Sequence, residues 1–120
     1  MTRGRFPELG RDLAKTAAEK RGRAHLVDPG KERTIDVLIL TESHVVLVTL
    51  RRSENLGEPV EKIAEQYREP LLLARQIPCG GPVWRELWLY SRYESLRFFR
   101  IENAALVELA PDGSPVPAGA

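Results

Sequence analysis

Asp36 lies inside an apolar run, Ile35-Asp-Val-Leu-Ile-Leu40, and a second apolar run, Val45-Val-Leu-Val-Thr-Leu-Arg51, follows after a short turn. An acid within a buried strand is costly unless it is paired, hydrogen-bonded or bound to metal. Residues two apart on a strand share a face. Thr34, Asp36, Leu38 and Leu40 therefore line one face of the first strand, and Val45, Leu47, Thr49 and Arg51 one face of the second. A hairpin that pairs Thr41 with His44 sets Asp36 opposite Thr49, and a shift of two residues sets it opposite Arg51. A one-residue slip would separate them. Two acids and a lysine in such a place would hold Mg²⁺, orient a water and offset charge on a phosphate. Here the set is one acid, one hydroxyl and one arginine. A threonine hydroxyl is an uncharged ligand, and arginine stays protonated and cannot act as a base. The expected state is a buried Asp36–Arg51 ion pair, because a guanidinium fork suits a carboxylate. Metal binding at Asp36 is the alternative.

The elements that must position these residues can be read from periodicity. Residues 7–21 recur at helical spacing through Leu9, Leu13, Ala14 and Ala17, with Pro7 suited to a first turn and Gly22 to a stop. Residues 23–28 read as a short strand ending at Asp28-Pro29-Gly30, a turn signal. Strands are expected at 33–41 and 45–52, apolar at nearly every position and so expected to be covered on both faces. Residues 58–77 return to helical period, with a kink or break expected at Pro70. After the loop Pro78-Cys-Gly-Gly-Pro82, strands are expected at 84–91 and 96–102, and a short last element at 103–109. Residues 110–120 have the composition of a disordered tail. The order α-β-β-β-α-β-β describes one α/β domain over residues 1–109 with a mixed sheet.

The 120 residues suffice for one core, and 42% apolar with 29% charged residues is ordinary for a globular chain. No run approaches the roughly 18 apolar residues of a membrane helix, so no membrane role is expected. Cys79, the single cysteine, has no internal disulfide partner, which points to a cytoplasmic protein. Charge is uneven. Residues 1–34 carry nine Lys/Arg against five Asp/Glu, and residues 35–120 carry nine against twelve. Arg3, Arg5, Arg11, Lys15, Lys20, Arg21 and Arg23 are thus candidate phosphate contacts, in a DNA interaction that would be weak and salt-dependent. A solvated helix face explains the same charges.

The hairpin resembles the core of the PD-(D/E)XK nucleases, and of the archaeal Holliday-junction resolvases in particular, which place Asp on one strand and Glu-x-Lys on the next. The resemblance covers roughly residues 3–102. The lead Arg3-Gly-Arg-Phe-Pro-Glu8 looks like the family's basic start and first helical turn, which makes Glu8 a candidate acid. Leu96-Arg-Phe-Phe-Arg-Ile101 is similar to the family's later aromatic strand. Three departures stand out: Ile35 replaces a proline, Thr49 the glutamate and Arg51 the lysine. The resemblance implies a restriction-endonuclease-like mixed sheet flanked by helices. It also implies a degenerate site of Asp36, Glu8, Thr49 and Arg51, and association as a homodimer.

The leading expectation is therefore an inactive resolvase-like domain that binds nucleic acid or serves as an assembly module, with no cofactor. One alternative is an active Mg²⁺-dependent endonuclease using Asp36 and Glu8. The other is a protein-interaction domain with no nucleic-acid role. His25 and His44 are isolated and lack metal-ligand spacing. Glu42 lies at the hairpin tip, too far to replace the missing acid. Trp84, Trp88, Tyr90, Tyr93, Phe98 and Phe99 could stack on bases, but aromatics on strands are more often core or dimer contacts.

Overall fold

A computed structural model of the chain describes residues 5–27 and 34–116, with side chains from residue 10 onward. Three helices and six strands occur among these residues. Helix α1 spans Arg5–Glu19, and strands β1 (Arg23–Leu26), β2 (Val37–Leu40) and β3 (Val45–Arg52) follow. Helices α2 (Val60–Gln66) and α3 (Arg68–Arg75) come next, then β4 (Val83–Tyr90), β5 (Leu96–Ile101) and β6 (Leu106–Leu109). The strands form one mixed sheet in sequence order. β3 and β4 pair in parallel, and every other neighbouring pair is antiparallel. The parallel step falls where α2 and α3 intervene, because a parallel pair needs a long crossover and a tight turn cannot supply one.

Helix α1 lies against β1 to β4. Its buried stripe is built from small residues: Gly10, Ala14 and Ala18, at four-residue spacing, are all buried. Ala14 and Ala18 pack in one core with Val37, Ile39, Val46, Val48, Trp88 and Phe98. A Cβ on Gly10 would lie 2.5 Å from the Tyr90 ring, so glycine sets how closely the helix approaches the sheet.

The opposite sheet face carries a second core, in which Leu87, Leu89, Phe99 and Ile101 meet Ile63, Tyr67, Leu71 and Ala74 of the two later helices. The expected single helix over 58–77 is two, divided at Tyr67 rather than at Pro70. Proline lacks an N–H and its ring clashes with the carbonyl four residues earlier, so the break falls upstream and Pro70 sits in the first turn of α3. The Tyr67 hydroxyl donates to the Arg52 carbonyl at 2.7 Å, tying that break to the end of β3.

Two further expectations are corrected. The apolar β2–β3 hairpin is not helix-covered on both faces. α2 and α3 lie against β4, β5 and β6, so Leu38, Val45 and Leu47 stay half-buried and Leu40 is exposed. Residues 110–116, expected within an unstructured tail, turn back onto β6. Ala110 N–H bonds the Ser114 carbonyl, Val116 N–H bonds the Glu108 carbonyl, and Gly113 is buried against Arg21. The Asp112 carboxylate, held below its usual range by the Ser114 hydroxyl and amide, closes that turn. Residues 117–120 lie outside the described residues.

Candidate active site

The hairpin register is the one that sets Asp36 opposite Thr49. Val37 pairs with Val48, and the Thr41 N–H bonds the His44 carbonyl at 2.9 Å. Asp36 is buried and Thr49 is 3% exposed. β2 proper begins at Val37, so the Leu50 N–H finds no strand carbonyl on that side. The Asp36 carboxylate takes it at 2.8 Å. The same carboxylate oxygen accepts from Arg51 Nη1 at 3.2 Å, and Arg51 Nη1 also donates to the Leu50 carbonyl at 2.8 Å. The Thr49 hydroxyl donates to the Thr34 carbonyl. The expected Asp36–Arg51 pair is thus present, with Asp36 acting also as a substitute for a missing strand partner.

Among the described side chains this arrangement offers a divalent cation one carboxylate, Asp36, one of whose oxygens already accepts two hydrogen bonds. A magnesium site gathers several oxygens, carboxylates foremost. No group of three metal-ligating acidic, histidine or cysteine side chains occurs among the described residues. Arg51 occupies the approach to Asp36 with a fixed positive charge. The Glu8 side chain lies outside the described residues. The helix that carries it is at the same end of the sheet: Arg11 donates to the Val27 carbonyl, and Val27 N–H bonds the Asp36 carbonyl.

Of the residues proposed for phosphate contact, Arg21 is committed elsewhere. It binds Glu86 through two nitrogens at 2.7 and 2.8 Å, and its side chain is only 6% exposed. Arg11 is half-buried on the Val27 carbonyl. Lys15, Lys20 and Arg23 are exposed. Arg3 and the Arg5 side chain lie outside the described residues. His25 is exposed on β1, Glu42 is exposed at the hairpin tip, and Cys79 is exposed in its loop.

The polar residues that the sequence reading overlooked lie on β4 and β5. Glu86 is fully buried in β4 and accepts from the Trp88 indole at 2.8 Å as well as from Arg21. Arg85, 3% exposed, points to the other face. Arg97 clasps Glu108 through two nitrogens at 2.8 and 2.9 Å. This pair holds the Glu108 carboxyl below its usual range, the Arg97 hydrogen bond being the chief cause. Trp84, in β4, is approached from the β3 side by the His44 ring, stacked at 3.7 Å between centroids. From the β5 side Arg100 lies 4.7 Å from the Trp84 ring. The signal that singled out Asp36, charge within an apolar strand, is equally present in Val83-Trp-Arg-Glu-Leu-Trp-Leu-Tyr90.

Comparison of the chain with protein-family models, with curated proteins and with solved structures finds no match. The site must therefore be read from its own geometry.

Proposed function

We propose that this chain is a catalytically inactive, resolvase-like domain that works as an assembly module. The observation that carries the reading is the state of Asp36. Its carboxylate is occupied by the Leu50 N–H and the Arg51 guanidinium, and the Thr49 hydroxyl opposite is spent on the Thr34 carbonyl. Polar groups satisfied within the fold have no ligand to recruit. The strand arrangement supports the resemblance behind the proposal: three antiparallel strands lead through helices to a fourth strand parallel to the third.

Assembly is favoured over nucleic-acid binding because Arg21 and Arg11, two of the basic residues in question, are engaged inside the fold. The uncovered side of the hairpin supplies apolar surface through the cross-strand pairs Leu38–Leu47 and Leu40–Val45. Among the described residues Leu40 is exposed and Leu38, Val45 and Leu47 are half-buried, and apolar surface left open in this way is where interaction sites form. A homodimer through this face is the simplest assembly.

Three measurements test the reading. Incubation with four-way junction, duplex and single-stranded DNA in Mg²⁺ or Mn²⁺ is expected to give no cleavage above background. A gel shift at low salt is expected to give at most weak, salt-sensitive binding. Sedimentation is expected to show self-association that Leu47→Lys abolishes without loss of folding. Robust cleavage that vanishes in Asp36→Ala would replace the proposal with an active nuclease using Asp36 and Glu8. A monomer at all concentrations, with tight junction binding, would replace it with a nucleic-acid module.

A further inference from the structure

Five large apolar residues are exposed among the described ones, and three of them, Leu40, Leu72 and Leu73, lie on two elements that border each other. Leu72 and Leu73 stand in α3, 59% and 46% exposed, and Leu40 ends β2 in the open part of the hairpin. A single exposed leucine is ordinary, but three around one step in the surface call for a common cover.

The helical period fixes where the α3 leucines point. Leu71 and Ala74 enter the core beneath the helix. At about 3.6 residues per turn, Leu72 and Leu73 stand on the far side, with the exposed Glu69 and Gln76 between them. The outward side of α3 thus presents two leucines flanking an acid.

Helix α3 also borders the open hairpin. Arg85, the neighbour of Leu47 in the β3–β4 pair, donates to the Arg75 and Ile77 carbonyls at the end of α3, at 3.1 and 3.0 Å. Beyond that boundary the surface is Leu38, Leu40, Val45 and Leu47. Its far edge is β1, where Arg23 pairs with Leu40 and His25 with Leu38, both cationic-type side chains being exposed. Among the described residues, this sheet face therefore has helices over β4 to β6 and none over β1 to β3. A sheet face is normally covered by a whole layer.

The outward side of α3 carries what that gap lacks. Its leucines match the hairpin's apolar pairs, and Glu69 complements the basic edge of β1. A two-fold axis between α3 and the gap would bring α3 of each copy over the hairpin of the other, so one rotation makes both contacts.

We infer that the gap is filled by a second copy of this chain, whose α3 lays Leu72 and Leu73 on Leu38, Leu40 and Leu47 and sets Glu69 against Arg23. The two α3 helices then form one layer between two sheets. The inference rests on the assembly reading and adds to it the surface that meets the hairpin.

The test uses the full chain in sedimentation velocity over a concentration series, with circular dichroism to confirm folding. Leu72→Lys and Leu73→Lys change exposed positions and should leave the fold intact. Each should weaken the dimer about tenfold or more, because a charge would have to be buried. Glu69→Arg and Arg23→Glu should each weaken it as well, and the two together in one chain should restore it, because the pair is again opposite in sign. In a Cys79→Ser background, a mixture of Leu40→Cys chains with isotope-labelled Leu73→Cys chains should cross-link through a short bismaleimide into a mixed dimer, and Leu40→Cys chains alone should not. A dimer abolished by Leu47→Lys yet unmoved by Leu72→Lys, Leu73→Lys and Glu69→Arg, or one cross-linked through Leu40→Cys alone, would overturn the inference and leave the assembly reading standing. A monomer at every concentration would overturn both.

Discussion

Arg21 and Glu86, 65 residues apart, meet as a bidentate pair at 2.7 and 2.8 Å, with the glutamate side chain fully buried and the arginine side chain 6% exposed. The pair joins the end of α1 to β4, and the Trp88 indole completes the satisfaction of Glu86. Breaking such a pair leaves an uncompensated buried charge, a cost of about 3–5 kcal/mol. Arg21→Met or Glu86→Ala alone should therefore lower the stability measured by urea unfolding by about that amount. Replacing both with apolar residues should recover most of the loss. Equal destabilisation by the single and double variants would mean that packing, not charge, is what the pair provides.

The Asp36–Arg51 pair should behave asymmetrically. The Arg51 side chain is 29% exposed and can reach water, whereas Asp36 also holds the Leu50 N–H. Asp36→Ala loses a buried hydrogen bond to a charged group, about 1.5–3 kcal/mol, and orphans a backbone donor. Arg51→Met loses a partly screened contact and should cost about 1 kcal/mol. Asp36→Asn, which keeps an acceptor for Leu50, should fall between them. Thermal and urea unfolding of the three variants would check this order.

His44 should make the fold sensitive to mild acid. Its pKa is lowered from the usual 6.5, chiefly by burial and then by repulsion from the nearby Arg21 guanidinium. The unfolded chain therefore binds a proton at a pH where the folded chain does not. Stability contributed by neutral His44 is fully present above about pH 6.5 and declines as pH falls toward the folded value. Melting temperature should drop as pH is lowered through 6.5, and His44→Asn should flatten that slope. An imidazole titration by NMR with its midpoint above 6.5 would contradict the prediction.

Gly10→Ala should destabilise the protein although it raises helix propensity. The new Cβ would stand 2.5 and 2.6 Å from two atoms of the Tyr90 ring, which cannot retreat because Tyr90 is buried. Overpacking costs about 1–3 kcal/mol, against a propensity gain of up to about 1 kcal/mol. A loss of stability in Gly10→Ala that is relieved in Gly10→Ala with Tyr90→Leu would locate the clash.

From the sequence alone came the hairpin and what it does to Asp36. Alternation of period two and a tight turn between residues 41 and 44 restrict the pairing to a few registers, so the Asp36–Thr49 juxtaposition and the Arg51 contact follow from local geometry. Helix α1 and strands β3, β4 and β5 were legible for the same reason, since their apolar periods are local. What only the tertiary structure decided are the partners brought together across the fold. Arg21 looked like a surface cation on a basic segment and is instead the counter-charge of Glu86. Arg85 and Arg100, unremarked in their strands, point to opposite faces, Arg85 to the end of α3 and Arg100 to Trp84. Among the described residues Leu38 and Leu47 stay half-buried and Leu40 exposed, because α2 and α3 settle over β4, β5 and β6. Periodicity says which residues must leave water. It does not say which distant element covers them, because that depends on how helices and strands pack once the local structure has formed.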